Sequence, residues 1–148
     1  MKYKLLVRTI ECAADADQNF KFEWHYVGVI ESSMLSQKTS RIMWDAIAPS
    51  YAMMCAAINE FIDMEYGEGV IRQIEQVETY LLNEAEAEGH AYVCWLTREG
   101  VTFEFQHGEN GPEKGGEVTL AQFKLAVQTY LQFLRDPERK PIEVPFPE

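Results

Sequence analysis

The sequence predicts an α+β fold: an antiparallel sheet of about four strands, made of two hairpins, with a central helical hairpin and a C-terminal helix packed on it. Three observations lead there. Apolar and polar residues alternate over 20–26 and again over 101–107, the period of half-buried antiparallel strands. Between Tyr51 and Ala85, and again from Leu120 to Leu134, apolar residues recur every three or four positions, as on a helix buried along one face. Strands and helices also come in separate blocks, which fits α+β rather than a doubly wound parallel sheet.

A first strand over 2–10 places Tyr3, Leu5 and Val7 on one side and Lys2, Lys4 and Arg8 on the other. After a polar turn at 13–19, a second strand alternates Phe20, Phe22, Trp24 and Tyr26 with Lys21, Glu23 and His25, so that His25 is expected to point outward. Residues 32–40 form a polar connector and 41–48 a short helix, which Pro49 ends because helical geometry is disfavoured just before proline. Ser50 is positioned to cap a longer helix. That helix turns Tyr51, Met54, Cys55, Ile58, Phe61 and Ile62 inward and stops at Gly67-Glu68-Gly69. A second helix is expected over 70–88, burying Ile71, Ile74, Val77, Leu81 and Ala85. A connection this short makes the two helices antiparallel neighbours.

The third strand, 91–97, is apolar on both sides, with Val93 and Trp95 against Tyr92, Cys94 and Leu96. It is either covered on both faces or has one face at an interface. The fourth, 101–107, buries Val101, Phe103 and Phe105 and turns Thr102, Glu104 and Gln106 outward. Residues 108–116 form a flexible loop. Thr119 and Gln122 stand at capping-box spacing, and Val118 can staple against Phe123. The helix they open buries Leu120, Phe123, Val127, Tyr130, Leu131 and Leu134, and Asp136-Pro137 ends it. The proline-rich tail, 137–148, lies extended against the body. The 148 residues form a single domain, 1–148.

Composition narrows the function. Apolar residues make up 47% of the chain, which excludes wholesale disorder. There is no apolar run of the ~18 residues that a membrane span needs, and Leu5-Leu6-Val7 is too short for a secretory signal. Cys12, Cys55 and Cys94 are odd in number and widely spaced, as in a cytoplasmic protein with reduced thiols. Cys55 and Cys94, flanked by apolar residues, read as small core hydrophobes. A net charge of −11 repels phosphate backbones, so nucleic acid is not the expected partner.

No motif dictates a chemistry. His25, His90 and His107 are far apart, and their predicted orientations do not converge on the tetrahedral ligand set of a zinc site. There is no Gly-x-Ser-x-Gly nucleophile elbow. The loop before the last helix lacks the Gly-Lys-Ser/Thr of a phosphate-binding loop, and its glutamates would repel an anion. No catalytic residue, cofactor or metal is expected. Methionines gather in the first half; they fill core gaps or form an adaptable binding surface. Met34 and Met53 are least explained by the helix stripe.

The acidic segment is the strongest feature. From Glu60 to Glu88 there are nine carboxylates and one base, Arg72, a local charge of −8 out of −11. On a helical hairpin, Glu60, Asp63, Glu75, Glu78 and Glu86 would share one negative surface. Such a surface either keeps the protein soluble or docks a basic protein, whose approach complementary charge accelerates. Tyr66 or Trp44 would be the aromatic anchor.

In overall character, as a small, acidic, cytoplasmic α+β protein without catalytic residues, the chain resembles the immunity proteins of bacterial polymorphic toxins, including those of contact-dependent growth inhibition. The likeness is one of type and spans the whole chain. It implies binding and neutralisation of one cognate toxin in the producing cell, and a basic nuclease fits that role because its cleft must hold a phosphate backbone. Two alternatives stand beside it. One is a homodimeric interaction module joined through the exposed side of the third strand. The other is an enzyme, which a pocket gathering a histidine with a carboxylate would favour.

Overall fold

Strands β1 (Tyr3–Ala13) and β2 (Lys21–Glu31) pair antiparallel over their whole length, from Tyr3 opposite Glu31 to Ala13 opposite Lys21. The structure, a computed structural model, describes residues 2–13, 21–34, 44–61 and 63–148, with backbone alone at 11–13 and 21–23. Residues 14–19 of the expected turn at 13–19, Phe20, most of the connector, the start of the 41–48 helix, Met43 and Ile62 lie outside the described residues. Within them, three longer helices follow: α1 (Ala52–Asn59), α2 (Met64–Glu78) and α3 (Leu120–Arg135). The remaining strands are β3 (Glu84–Glu88), β4 (Tyr92–Thr97), β5 (Gly100–Phe105), β6 (Glu113–Val118) and β7 (Ile142–Phe146).

The fold is α+β, and both expected hairpins are present. The strands divide between two antiparallel sheets, ordered β2-β1-β7 and β3-β4-β5-β6. A single core spans both sheets. Leu5, Val7, Val27 and Val29 of the first sheet and Cys94, Leu96, Val101 and Phe103 of the second join Ile58, Ile74, Phe123 and Phe133 from the helices. The tail adds β7 at the edge beside β1, where Pro145 costs no inner ladder bond and Phe146 is buried against Tyr51.

The three-stranded sheet is also covered on its second face. Leu6, Ile10, Tyr26 and Ile30 form a smaller cluster with Ala46. The expected orientation of β2 is therefore corrected. Val27 and Val29 share the face of His25, and that face meets the main core, whereas Trp24 is 50% exposed. A strand buried on both sides gives no unique apolar face, so alternation read from 20–26 does not carry forward. The free edge of β2 is closed by Asn59, whose side-chain amide donates to the Val27 carbonyl and accepts from its N–H (3.1 and 3.0 Å).

Helix boundaries differ from expectation. Pro49 opens a 3-10 turn, Pro49–Tyr51, that leads into α1, and Ser50 makes no side-chain cap. α1 ends at Asn59, and Asp63 caps α2 by accepting from the Tyr66 N–H at 2.9 Å. Gly67 and Gly69 thus lie inside α2 and do not end a helix. Gly67 lets α2 lie close against α3, where a Cβ would displace the end of the Leu131 side chain. α2 ends at Glu78, ten residues short of expectation. Tyr80, at φ 66°, reverses the chain, and Leu81 is 75% exposed rather than buried. The Arg98 guanidinium holds this turn, donating to the carbonyls of Val77 and Leu82 (3.1 and 3.0 Å) and stacking over Tyr80. Residues 84–88 then pair with β4 as a strand.

The expected loop at 108–116 is shorter, because Glu113–Val118 forms β6 against β5. Gly116, at φ 68° and packed on Met53, is what allows it. α3 begins as expected. The Thr119 hydroxyl accepts from the Gln122 N–H (3.0 Å) and the Gln122 side chain accepts from the Thr119 N–H (2.9 Å). Val118 and Phe123 are both buried.

Candidate functional site

The acidic ladder comes to rest on the four-stranded sheet. In Glu84-Ala85-Glu86-Ala87-Glu88 the alanines turn inward and the three glutamates are exposed. The register sets Glu86 opposite Trp95 and Trp95 opposite Thr102. In the next row Glu88, Val93, Glu104 and Lys114 follow one another across β3 to β6. Trp95 is the only large apolar side chain of these rows with substantial exposure, 37%. Strand β4 is therefore central within its sheet, and on its outer face Val93 is buried while Trp95 is part-exposed. Of the two outcomes left open for it, the structure has Trp95 facing outward.

Glu104 organises the outer face. Its carboxylate accepts from Gln106 (3.1 Å) and from the Trp95 indole N–H (3.3 Å), and pairs with Lys114 at 3.7 Å. The Lys114 ammonium lies 5.6 Å from the Trp95 ring centroid. A cation over the indole face is attracted by the ring quadrupole, so Lys114 is held by both Glu104 and Trp95. Beside Trp95 is a hollow of about 280 Å³ to which Glu99 and Glu117 contribute. The free edge of β3 is closed: Gln73 donates to the Glu86 carbonyl (3.0 Å) and the Tyr66 hydroxyl to the Glu88 carbonyl (2.6 Å). Strand addition at that edge is blocked.

The six residues singled out in the sequence do not form one surface on paired helices. Glu60 accepts from the backbone of Ala91 and Tyr92, tying the end of α1 to the start of β4. Asp63 is the α2 cap. Glu78 pairs with Lys124 of α3 at 2.7 Å. Glu75 is exposed on α2. Glu86 lies on the sheet face; across the β3 edge Gln73 donates to its carbonyl and Tyr66 meets Glu88, in a groove of about 360 Å³ that also holds Glu65 and Arg72. Burial first, then Cys94 and the carboxylates of Glu60 and Glu88, push the Tyr66 phenol up to about 12, so it stays a donor at neutral pH. Glu84, Glu88, Glu104 and Trp95 were missed as a unit. The available signal was the strict Glu-Ala alternation, which has a period of two.

Cys55 and Cys94 are buried in the core, and burial pushes each thiol up to about 12. Met34 and Met53 pack against the two clusters as partly buried fillers, and Trp44 stands edge-on to Tyr26 at 4.9 Å. His90 and His107 are exposed. His25 does not point outward: its ring packs on Tyr130 and Phe133, with both nitrogens engaged, Nδ1 by Tyr130 and Nε2 by Arg139. Among the described residues, no three His, Cys, Asp or Glu side chains are grouped to hold a metal ion, and no helix is long and apolar enough to cross a membrane.

The chain matches no family model, and no curated protein or solved structure is significantly similar to it.

Proposed function

We propose that this is a non-catalytic protein that binds a basic protein partner on the outer face of its four-stranded sheet. In line with the immunity-protein resemblance, the partner is a cognate basic toxin, of nuclease type, which it neutralises in the cytoplasm of the producing cell. The observation that supports this is Trp95, exposed between the rows of Glu84, Glu86 and Glu88 and of Glu104, with Lys114 laid over its ring. An aromatic anchor ringed by like charge suits Arg and Lys side chains. The same charge opposes self-association through this face, since two copies would bring their glutamates together at a cost of several kcal/mol. An enzyme would be favoured by a pocket that gathers a histidine with a carboxylate; His25 and Asp63 do line one pocket, but the Asp63 carboxylate is engaged as the α2 cap, accepting from the Tyr66 N–H.

The test uses the protein and its Glu84→Lys/Glu86→Lys/Glu88→Lys variant as baits in lysate of the native host. A basic protein held by the parent, eluted by salt and absent from the variant supports the reading. Equal retention by both baits overturns it.

A further inference from the structure

Where β2, the α1–α2 junction and α3 meet lies a pocket of about 490 Å³. Trp24, His25, Phe61, Asp63, Tyr130 and Arg139 line it, and none of them belongs to the docking face. Arg139 enters from the turn after α3. Its backbone is left-handed, at φ 50°, a conformation disfavoured for a long side chain. Asp136 holds it there: its carboxylate accepts from the N–H groups of Glu138 and Lys140 (3.0 and 3.1 Å), and its carbonyl from that of Arg139 (3.0 Å).

The guanidinium lies 5.7 Å over the Phe133 ring, and its Nη1 is 3.3 Å from His25 Nε2. A guanidinium only donates, so Nε2 accepts and the imidazole proton sits on Nδ1. Nδ1 is 3.0 Å from the Tyr130 hydroxyl oxygen, which therefore accepts. The phenol keeps its own proton to donate, and Arg139 keeps its other N–H groups. Among the described residues no carboxylate forms an ion pair with Arg139. Two carboxylates are close to this relay. Asp63 is engaged as the α2 cap, and Glu138, in a hollow that His25 and Arg139 also line, pairs with Lys140 at 3.1 Å. A fixed cation and a spare hydroxyl donor, set against Trp24, Phe61 and Met64, match an anionic oxygen group carried on an apolar body.

We propose that this pocket binds a small molecule bearing a carboxylate or phosphate, held by Arg139 and Tyr130, with its apolar part against Trp24 and Phe61. The inference does not depend on the docking surface. The test is calorimetric titration of the full chain with phenyl phosphate and with benzoate, and with benzylamine as the charge-reversed probe. At least one anion is expected to bind saturably at roughly millimolar concentration or below. Which of the two binds more tightly distinguishes phosphate from carboxylate. Arg139→Gln, on a surface turn, is expected to weaken binding about tenfold or more, and Tyr130→Phe, which keeps the ring packing, to weaken it less. Failure of both anions to bind, unchanged affinity in Arg139→Gln, or equal binding of benzylamine would each overturn the proposal.

Discussion

Replacing Glu60 with alanine removes the carboxylate that accepts from the N–H of Tyr92 at 2.9 Å and of Ala91 at 3.1 Å. Both donors are part-buried at the start of β4, where no neighbouring strand reaches them. A hydrogen bond to a charged acceptor contributes ~1.5–3 kcal/mol, and an orphaned buried donor costs ~1–3. Water reaches part of this site, so the expected loss is about 2–4 kcal/mol. For a chain of 148 residues each kcal/mol shifts Tm by ~2–4 °C, so the midpoint should fall by about 5–15 °C. Thermal melts by circular dichroism, with urea titration at 25 °C, measure it. A loss below about 0.5 kcal/mol would mean that the carboxylate does not staple α1 to β4, and would return Glu60 to the solvated acids.

Four further outcomes are expected. Thr119→Ala breaks the capping box and should cost ~1 kcal/mol in denaturant titration; no loss would remove the cap from the account of α3. Trp95→Ala should cost about 2 kcal/mol, short of the ~3–5 of a fully buried tryptophan, because part of the indole already meets water. Cys55 and Cys94 should resist thiol reagents at pH 8 until the protein unfolds, as read by mass spectrometry. Their folded pKa values are raised from 9.0 to about 12, so the stability tied to the protonated thiols is complete below pH 9 and lost as pH rises towards 12; a stability curve flat across that window would contradict it. Glutamates two apart on a strand are ~7 Å from each other, so Glu84, Glu86 and Glu88 lie within about a Debye length or two. At roughly 0.5 kcal/mol per charge, their reversal to lysine should slow association with a basic partner by about 100-fold at low salt, and less at high salt.

Where local signals agreed with tertiary packing, the fold was legible. The β4–β5 hairpin shows its turn and its alternation, and Thr119 with Gln122 marks the start of α3. Three segments were misread because a local preference lost to packing. Glu and Ala favour helix, so 84–88 joined the helical pattern; in the structure, pairing with β4 and the reversal at Tyr80 decide it. Gly67 looks like a stop signal, yet it serves close approach of α2 to α3, which no local pattern reveals. Gly115 and Gly116 made β6 resemble a loop, although the space above Gly116 is taken by Met53. The candidate surface was half legible. Its charge could be counted in the sequence, but which carboxylates stay exposed depends on partners distant along the chain: Lys124 for Glu78, Ala91 and Tyr92 for Glu60.

The most direct measurement of docking is an amide and indole NMR footprint of the labelled protein with its captured partner at equimolar ratio. Shifts at the Trp95 indole N–H and along 84–88 and 102–104, with α3 unchanged, are the expected result. A footprint that leaves Trp95 untouched and falls on α2 and α3, or on the Trp44 side of the three-stranded sheet, would contradict it.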